Sequence, residues 1–126
     1  MAVLQISESE AEIMKVLWRR SPLAMPELVA AVLEENRWEA GTVKTLLTRL
    51  VKKQAVKVSG AKRAYQYEPL ITREEYAESA GEMLMRRAFN ETPTEMLSFF
   101  VTRQKLSAED IAELKKLLDA AERKLK

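Results

Sequence analysis

Residues 41–53, GTVKTLLTRLVKK, constrain this 126-residue chain more than any other stretch. Val43, Leu46, Leu47 and Leu50 recur at i, i+3, i+4 and i+7, so they share one face of a helix. Thr45, Thr48, Arg49 and Lys52 repeat the same spacing two residues later, which is about 200° further around the axis. The two stripes therefore lie on opposite faces. A helix face that only meets water usually mixes acids with bases at i,i+4 spacing. This one does not, because no Asp or Glu stands between Ala40 and Glu68. Hydroxyls and cations without acids are the groups that reach base edges and phosphates in a major groove.

The charge distribution extends the same reading. Between residues 40 and 70 the cations Lys44, Arg49, Lys52, Lys53, Lys57, Lys62 and Arg63 face Glu68 alone, a net of +6. The whole chain carries only +2, so the remainder is acidic. A local basic patch on a near-neutral protein is the footprint of a polyanion partner.

Composition removes several chemistries. There is no cysteine, hence no disulfide, thiolate metal site or cysteine nucleophile. Histidine is also absent, which takes away the commonest general base and metal ligand. The acids fall at helix caps and on helix faces, so the chain is expected to be no enzyme and to need no cofactor, catalytic group or metal. The apolar fraction of 47% suits a folded domain. The chain begins without a basic, then apolar, leader, and no apolar run nears the roughly 18 residues that span a bilayer. A cytoplasmic protein with no membrane partner is expected.

Read in order, Ser7 and Glu10 form a capping box that opens a first helix with Ala11, Met14, Leu17 and Trp18 on one face. Ser21-Pro22 ends it. Pro26 suits the first turn of a second helix, with Leu28, Val29, Val32 and Leu33 as its buried stripe. Asn36 to Gly41 reads as a loop with Trp38 packed beneath, and the two-striped helix follows. After Lys53 the period changes from 3.6 to 2. Val56 and Val58 alternate with Lys57 and Ser59, then Tyr65 and Tyr67 alternate with Gln66 and Glu68. This predicts a β-hairpin whose tip is Ser59-Gly60-Ala61-Lys62. Three helices and a basic-tipped hairpin make a winged helix-turn-helix, expected over residues 1–71, with Thr42 joining the groove-facing set.

Residues 72–126 read as wholly helical. Thr72 with Glu75 caps one helix bearing Tyr76, Ala80, Met83, Leu84 and Arg87 on one face. Thr92, Pro93 and Glu95 open a short helix in which Phe99 and Phe100 are expected to be buried. Ser107 with Asp110 caps the last, where Ile111, Leu114, Leu118, Ala121 and Leu125 follow heptad spacing. Three short amphipathic helices are too small to bury a core of their own. The expected partner is a second copy of the chain, met through Tyr76, Met83, Leu84 and the heptad seam. The fold class is thus mostly α with a small β-hairpin, a winged domain followed by a helical dimerisation domain.

The string TVKTLLTRLVKK, the Trp ending helix one, the Y-x-Y of the second wing strand and the S-x-x-D-I-x-E-L of the last helix together resemble the BlaI/MecI/CopY family of penicillinase repressors. The resemblance covers nearly the whole chain. It implies a homodimeric winged-helix repressor on an inverted-repeat operator in double-stranded DNA. Two departures stand out. Copper-responsive members carry C-x-C metal motifs, which a cysteine-free chain lacks. Penicillinase-type members are cut by a sensor protease at an Asn-Phe bond, and the matching positions here are Phe99 and Phe100, with Phe kept and Asn not. Loss of the dimer, by a cut there, is the derepression that the resemblance implies. Two other readings of the same residues are a winged-helix regulator governed by a small-molecule effector and a winged helix used for protein assembly.

Overall fold

The computed structural model describes residues 5–126. Helix α1 (Glu8–Arg19) starts at the expected capping box: Glu10 N–H donates to Ser7 Oγ at 3.1 Å and Ser7 N–H to Glu10 Oε1 at 2.8 Å. Helix α2 (Met25–Glu35) carries Pro26 in its first turn, where no backbone donor is needed. Its preceding residue, Ala24, has no side-chain acceptor, but its N–H donates to Glu27 at 3.2 Å. Helix α3 (Ala40–Lys52) begins one residue before Gly41, so the expected loop is shorter and Gly41 is helical.

Strands β2 (Val56–Ser59) and β3 (Gln66–Pro69) form the expected antiparallel hairpin, with Val58 opposite Tyr67 and Lys57 opposite Glu68. Its tip runs over residues 60–65 and is longer than expected. Gly60 has φ +93°, and a Cβ there would stand 2.6 Å from the Ala64 carbonyl oxygen. Ala64 N–H closes the turn on Ala61 O at 2.7 Å, so the chain curls and Tyr65 stays out of the ladder. A further strand was not expected. Leu23–Ala24, β1, pairs with Tyr67 and Gln66, giving a three-stranded sheet in the order β1-β3-β2.

The core is one cluster. Ile13, Met14, Val16 and Leu17 of α1 meet Leu28 and Val32 of α2, the whole apolar stripe of α3, and Val56 and Tyr67 of the sheet. Trp18 and Trp38 pack against it partly buried. Trp18 Nε1 donates to Ile71 O at 2.9 Å, and its ring lies 5.5 Å from that of Tyr76. Tyr76, assigned above to the dimer face, therefore has a partner within its own chain.

Helices α4 (Arg73–Ala88), α5 (Pro93–Arg103) and α6 (Ala108–Leu125) follow. Both expected capping boxes form, Thr72 with Glu75 and Ser107 with Asp110, each through hydrogen bonds of 3.0–3.1 Å. The compact units divide between Gly81 and Glu82, inside α4. From Glu82 onward no described residue is buried. Phe99 and Phe100, expected inside, are 42% and 38% exposed in the single chain. They cluster with Phe89, at ring separations of 5.4 and 6.1 Å, and the Arg103 guanidinium lies 5.2 Å from the Phe99 ring centre. No helix among the described residues is long and apolar enough to cross a membrane.

Candidate nucleic-acid interface

Helix α3 separates its stripes completely. Val43, Leu46, Leu47 and Leu50 are buried, while Thr42, Lys44, Thr45, Thr48, Arg49 and Lys52 are exposed. Its first turn contains no acid, and the N-cap residue Glu39 makes no side-chain cap hydrogen bond to it. The Thr45 hydroxyl donates to Gly41 O at 3.0 Å and that of Thr48 to Lys44 O at 2.9 Å. Both hydroxyl protons are thus turned into the helix, leaving lone pairs and methyl groups outward. Lys44, Arg49 and Lys52 make no ion pair among the described residues. Their charge remains available.

The end of α3 is joined tightly to the sheet. Gln54, at φ 64°, takes the left-handed position of a Schellman cap: its N–H bonds to Val51 O at 3.0 Å, and Ala55 N–H to Leu50 O at 2.9 Å. Ala55 O then accepts the N–H of Leu70 at 2.8 Å. Helix and hairpin are held in one fixed relation, with no flexible link between them. On the hairpin, Lys62 and Arg63 are exposed at the tip and have no acid partner among the described residues. Lys57 faces Glu68 across the strands at 3.7 Å, an exposed and loose pair.

Lys53 is placed differently. Its ammonium donates to the buried Glu10 Oε1 at 2.6 Å and to Gln5 O at 2.7 Å. Burial, the largest influence on the Glu10 carboxyl, pushes its pKa upward. The hydrogen bond and charge of Lys53, with the N–H and hydroxyl of Ser7, outweigh it and hold the carboxyl below its ordinary value.

Two cations or polar groups escaped the sequence reading. Arg37 stands exposed in the turn before α3, three residues outside the stretch whose charge drew notice. Tyr65 was read as a strand residue, yet it lies in the hairpin tip and is 40% exposed. In the C-terminal unit Met83 is half-buried, and Leu84, Ile111, Leu114, Leu118, Ala121 and Leu125 are exposed, as is Leu117, which falls off the heptad count. No group of three acids able to hold a metal occurs among the described residues.

The penicillinase repressor family model matches residues 6–120. A penicillinase repressor from Bacillus licheniformis is 33% identical over 115 residues, spanning 91% of this chain and 90% of that protein. The methicillin resistance regulatory protein MecI of Staphylococcus aureus (strain N315) is 23% identical over 115 residues, spanning 91% and 94% of the two chains. Among solved structures, the solution structure of the Bacillus licheniformis BlaI monomeric form in complex with the blaP half-operator aligns with a TM-score of 0.53 at 33% identity. That alignment covers 60% of this chain and 92% of that one.

Proposed function

This chain belongs to the penicillinase repressor family, and from that premise we propose that it represses transcription as a homodimer on an inverted-repeat DNA operator. Members of the family are transcriptional repressors and not enzymes. One observation carries the DNA reading: an exposed α3 face of hydroxyls and of cations without an ion pair among the described residues, rigidly joined to a basic hairpin tip, with no acid within the same helix. The bound half-operator of the Bacillus licheniformis relative supports it.

In this reading α3 enters the major groove. Lys44 and Arg49 donate to guanine acceptors, while Thr42, Thr45 and Thr48 meet bases or backbone. Lys52, Lys57, Lys62 and Arg63, joined by Arg37, neutralise phosphates. Half-sites lie about one helical turn apart, near 10 bp, as a two-fold dimer requires. The protein works in the cytoplasm, and its dimer forms through Met83, Leu84 and the α6 seam of Ile111, Leu114, Leu118, Ala121 and Leu125. Repression ends when the dimer is lost, through a sensor protease cutting near Phe99 and Phe100, whose rings lie exposed on α5 in the single chain.

Selection from random duplexes should recover a pseudo-palindrome, whose affinity falls steeply with salt as counterions are retained. On that operator, Lys62→Ala should weaken all duplexes alike and flatten the salt slope by about one unit. Arg49→Ala should cost about 1–3 kcal/mol on the operator and less on random DNA. Equal losses for both variants on both duplexes would refute this division of roles, and salt-independent binding would refute the DNA reading itself.

A further inference from the structure

Glu10 is the one charged side chain buried among the described residues, at 1% exposure. It is also the third residue of α1, and its Oε1 closes the capping box on Ser7 N–H at 2.8 Å. The same oxygen accepts the ammonium of Lys53, the C-cap of α3, 43 residues later in the chain. A second donation from Lys53 to Gln5 O ties the ammonium to the segment leading into α1. One oxygen atom thus fixes the beginning of α1 and the end of α3 together. Among the described residues Glu10 Oε2 is buried without a hydrogen-bond partner, and Lys53 is the cation that pairs with this carboxylate.

That geometry bears on what Lys53 can do for DNA. Taking one partner away from a buried pair strands a charge in low dielectric, which is strongly destabilising. An ammonium drawn toward a phosphate would do that to Glu10. An ammonium left in place presents a phosphate with a neutralised pair, which releases no net counterion. Charge alone would group Lys53 with Lys52; its partner separates them.

We propose that Lys53 is a positioning residue for the DNA-reading helix, locking the end of α3 to the start of α1 through Glu10, and that it contributes no phosphate contact. The inference rests on the DNA-binding reading above and assigns within it a role that charge counting misses. A helix that reads base edges must be held within a fraction of an ångström, and the residues that hold it then govern discrimination more than attraction.

The test is a double-mutant cycle on the full chain: wild type, Lys53→Met, Glu10→Gln, and the two combined. Each is measured for thermal midpoint and for affinity to the selected operator and to a random duplex across a salt series. Lys53→Met should lower the midpoint by about 5–10 °C. It should also lose about tenfold on the operator, the scale of one misplaced base contact, with little change on random DNA and an unchanged salt slope. The combined variant should regain at least half of the lost midpoint and of the lost operator affinity, and it serves as the readout if Lys53→Met alone fails to fold. A salt slope lowered by about one unit, with equal losses on both duplexes and no recovery in the combined variant, would make Lys53 a phosphate contact and overturn the proposal. Additive midpoints would overturn it as well. Wild-type protein without salt-dependent duplex binding would instead sink the DNA reading, and the positioning role with it.

Discussion

The chain up to Gly81 and the chain from Glu82 onward obey the same local rules and reach different ends. Both are rich in capped amphipathic helices, and the capping boxes at Ser7, Thr72 and Ser107 all form. Only the first unit converts its apolar stripes into a core: every apolar residue of the α3 stripe is buried, whereas Leu118 and Leu125 on α6 remain 64% and 88% exposed. Capping and periodicity decide where a helix starts and which face is apolar. They do not supply the surface against which that face packs. The first unit carries its own, in α1, α2 and the sheet; on the dimer reading the second obtains it from another chain.

Three measurements can break or sharpen that contrast. The largest effect is expected from truncating equivalent apolar positions. Leu50→Ala removes a fully buried side chain and should destabilise the first unit by about 2–5 kcal/mol. Leu118→Ala should leave the folding of the single chain within about 0.5 kcal/mol of the original and act on association instead. Denaturant unfolding with sedimentation on both variants gives the comparison; similar unfolding losses would mean that α6 already has a core within one chain.

Ending the chain after Phe99 should come next. The winged-helix unit keeps its melting transition, but the protein falls to monomer and loses at least about tenfold in operator affinity, the lower end of the roughly 10²–10⁴ that linked half-site binding supplies, allowing for imperfect linkage. Undiminished operator affinity in the truncated protein would remove the dimer from the mechanism of release.

The smallest effect concerns acid. Because the Glu10 carboxyl is held below its ordinary value in the folded protein, the stability it contributes is fully present above that ordinary value. It is lost as pH falls through the lower, folded-state value. Thermal midpoints followed from pH 6 to pH 3 should therefore converge between wild type and Glu10→Gln. Parallel curves would show that the ion pair with Lys53 does not survive in solution.

Much of the winged-helix unit was legible because its signals are local. The stripes of residues 41–53 map onto buried and exposed positions without exception, and the change of period after Lys53 marks the hairpin. What escaped was either too short or too distant in sequence. Two residues, Leu23 and Ala24, cannot display a period, so β1 is visible only once β3 is there to pair with it. Tyr65 continued the alternation of Tyr67, yet the turn at Gly60 overrode the pattern. Glu10 read correctly as a cap, while Lys53 was grouped by charge with the DNA-contacting cations; nothing in either neighbourhood points across 43 residues to the other. Gln54 carried no punctuation either, since the left-handed end of a helix usually announces itself with Gly or Asn. Phe99 and Phe100 were expected inside together with a second chain, and in the single chain they remain 42% and 38% exposed.

The clean division of α3 into two faces has an evolutionary consequence. No residue of the exposed stripe serves the core, and the charged members of that stripe make no ion pair among the described residues. On the DNA reading proposed above, substitutions at Lys44 or Arg49 would therefore alter which sequence is read while leaving the fold almost untouched, within the roughly 0.5 kcal/mol typical of exposed positions. Gene duplicates built on this scaffold can drift apart in target without passing through an unstable intermediate. The winged frame and its vocabulary of bases are, in that sense, inherited independently.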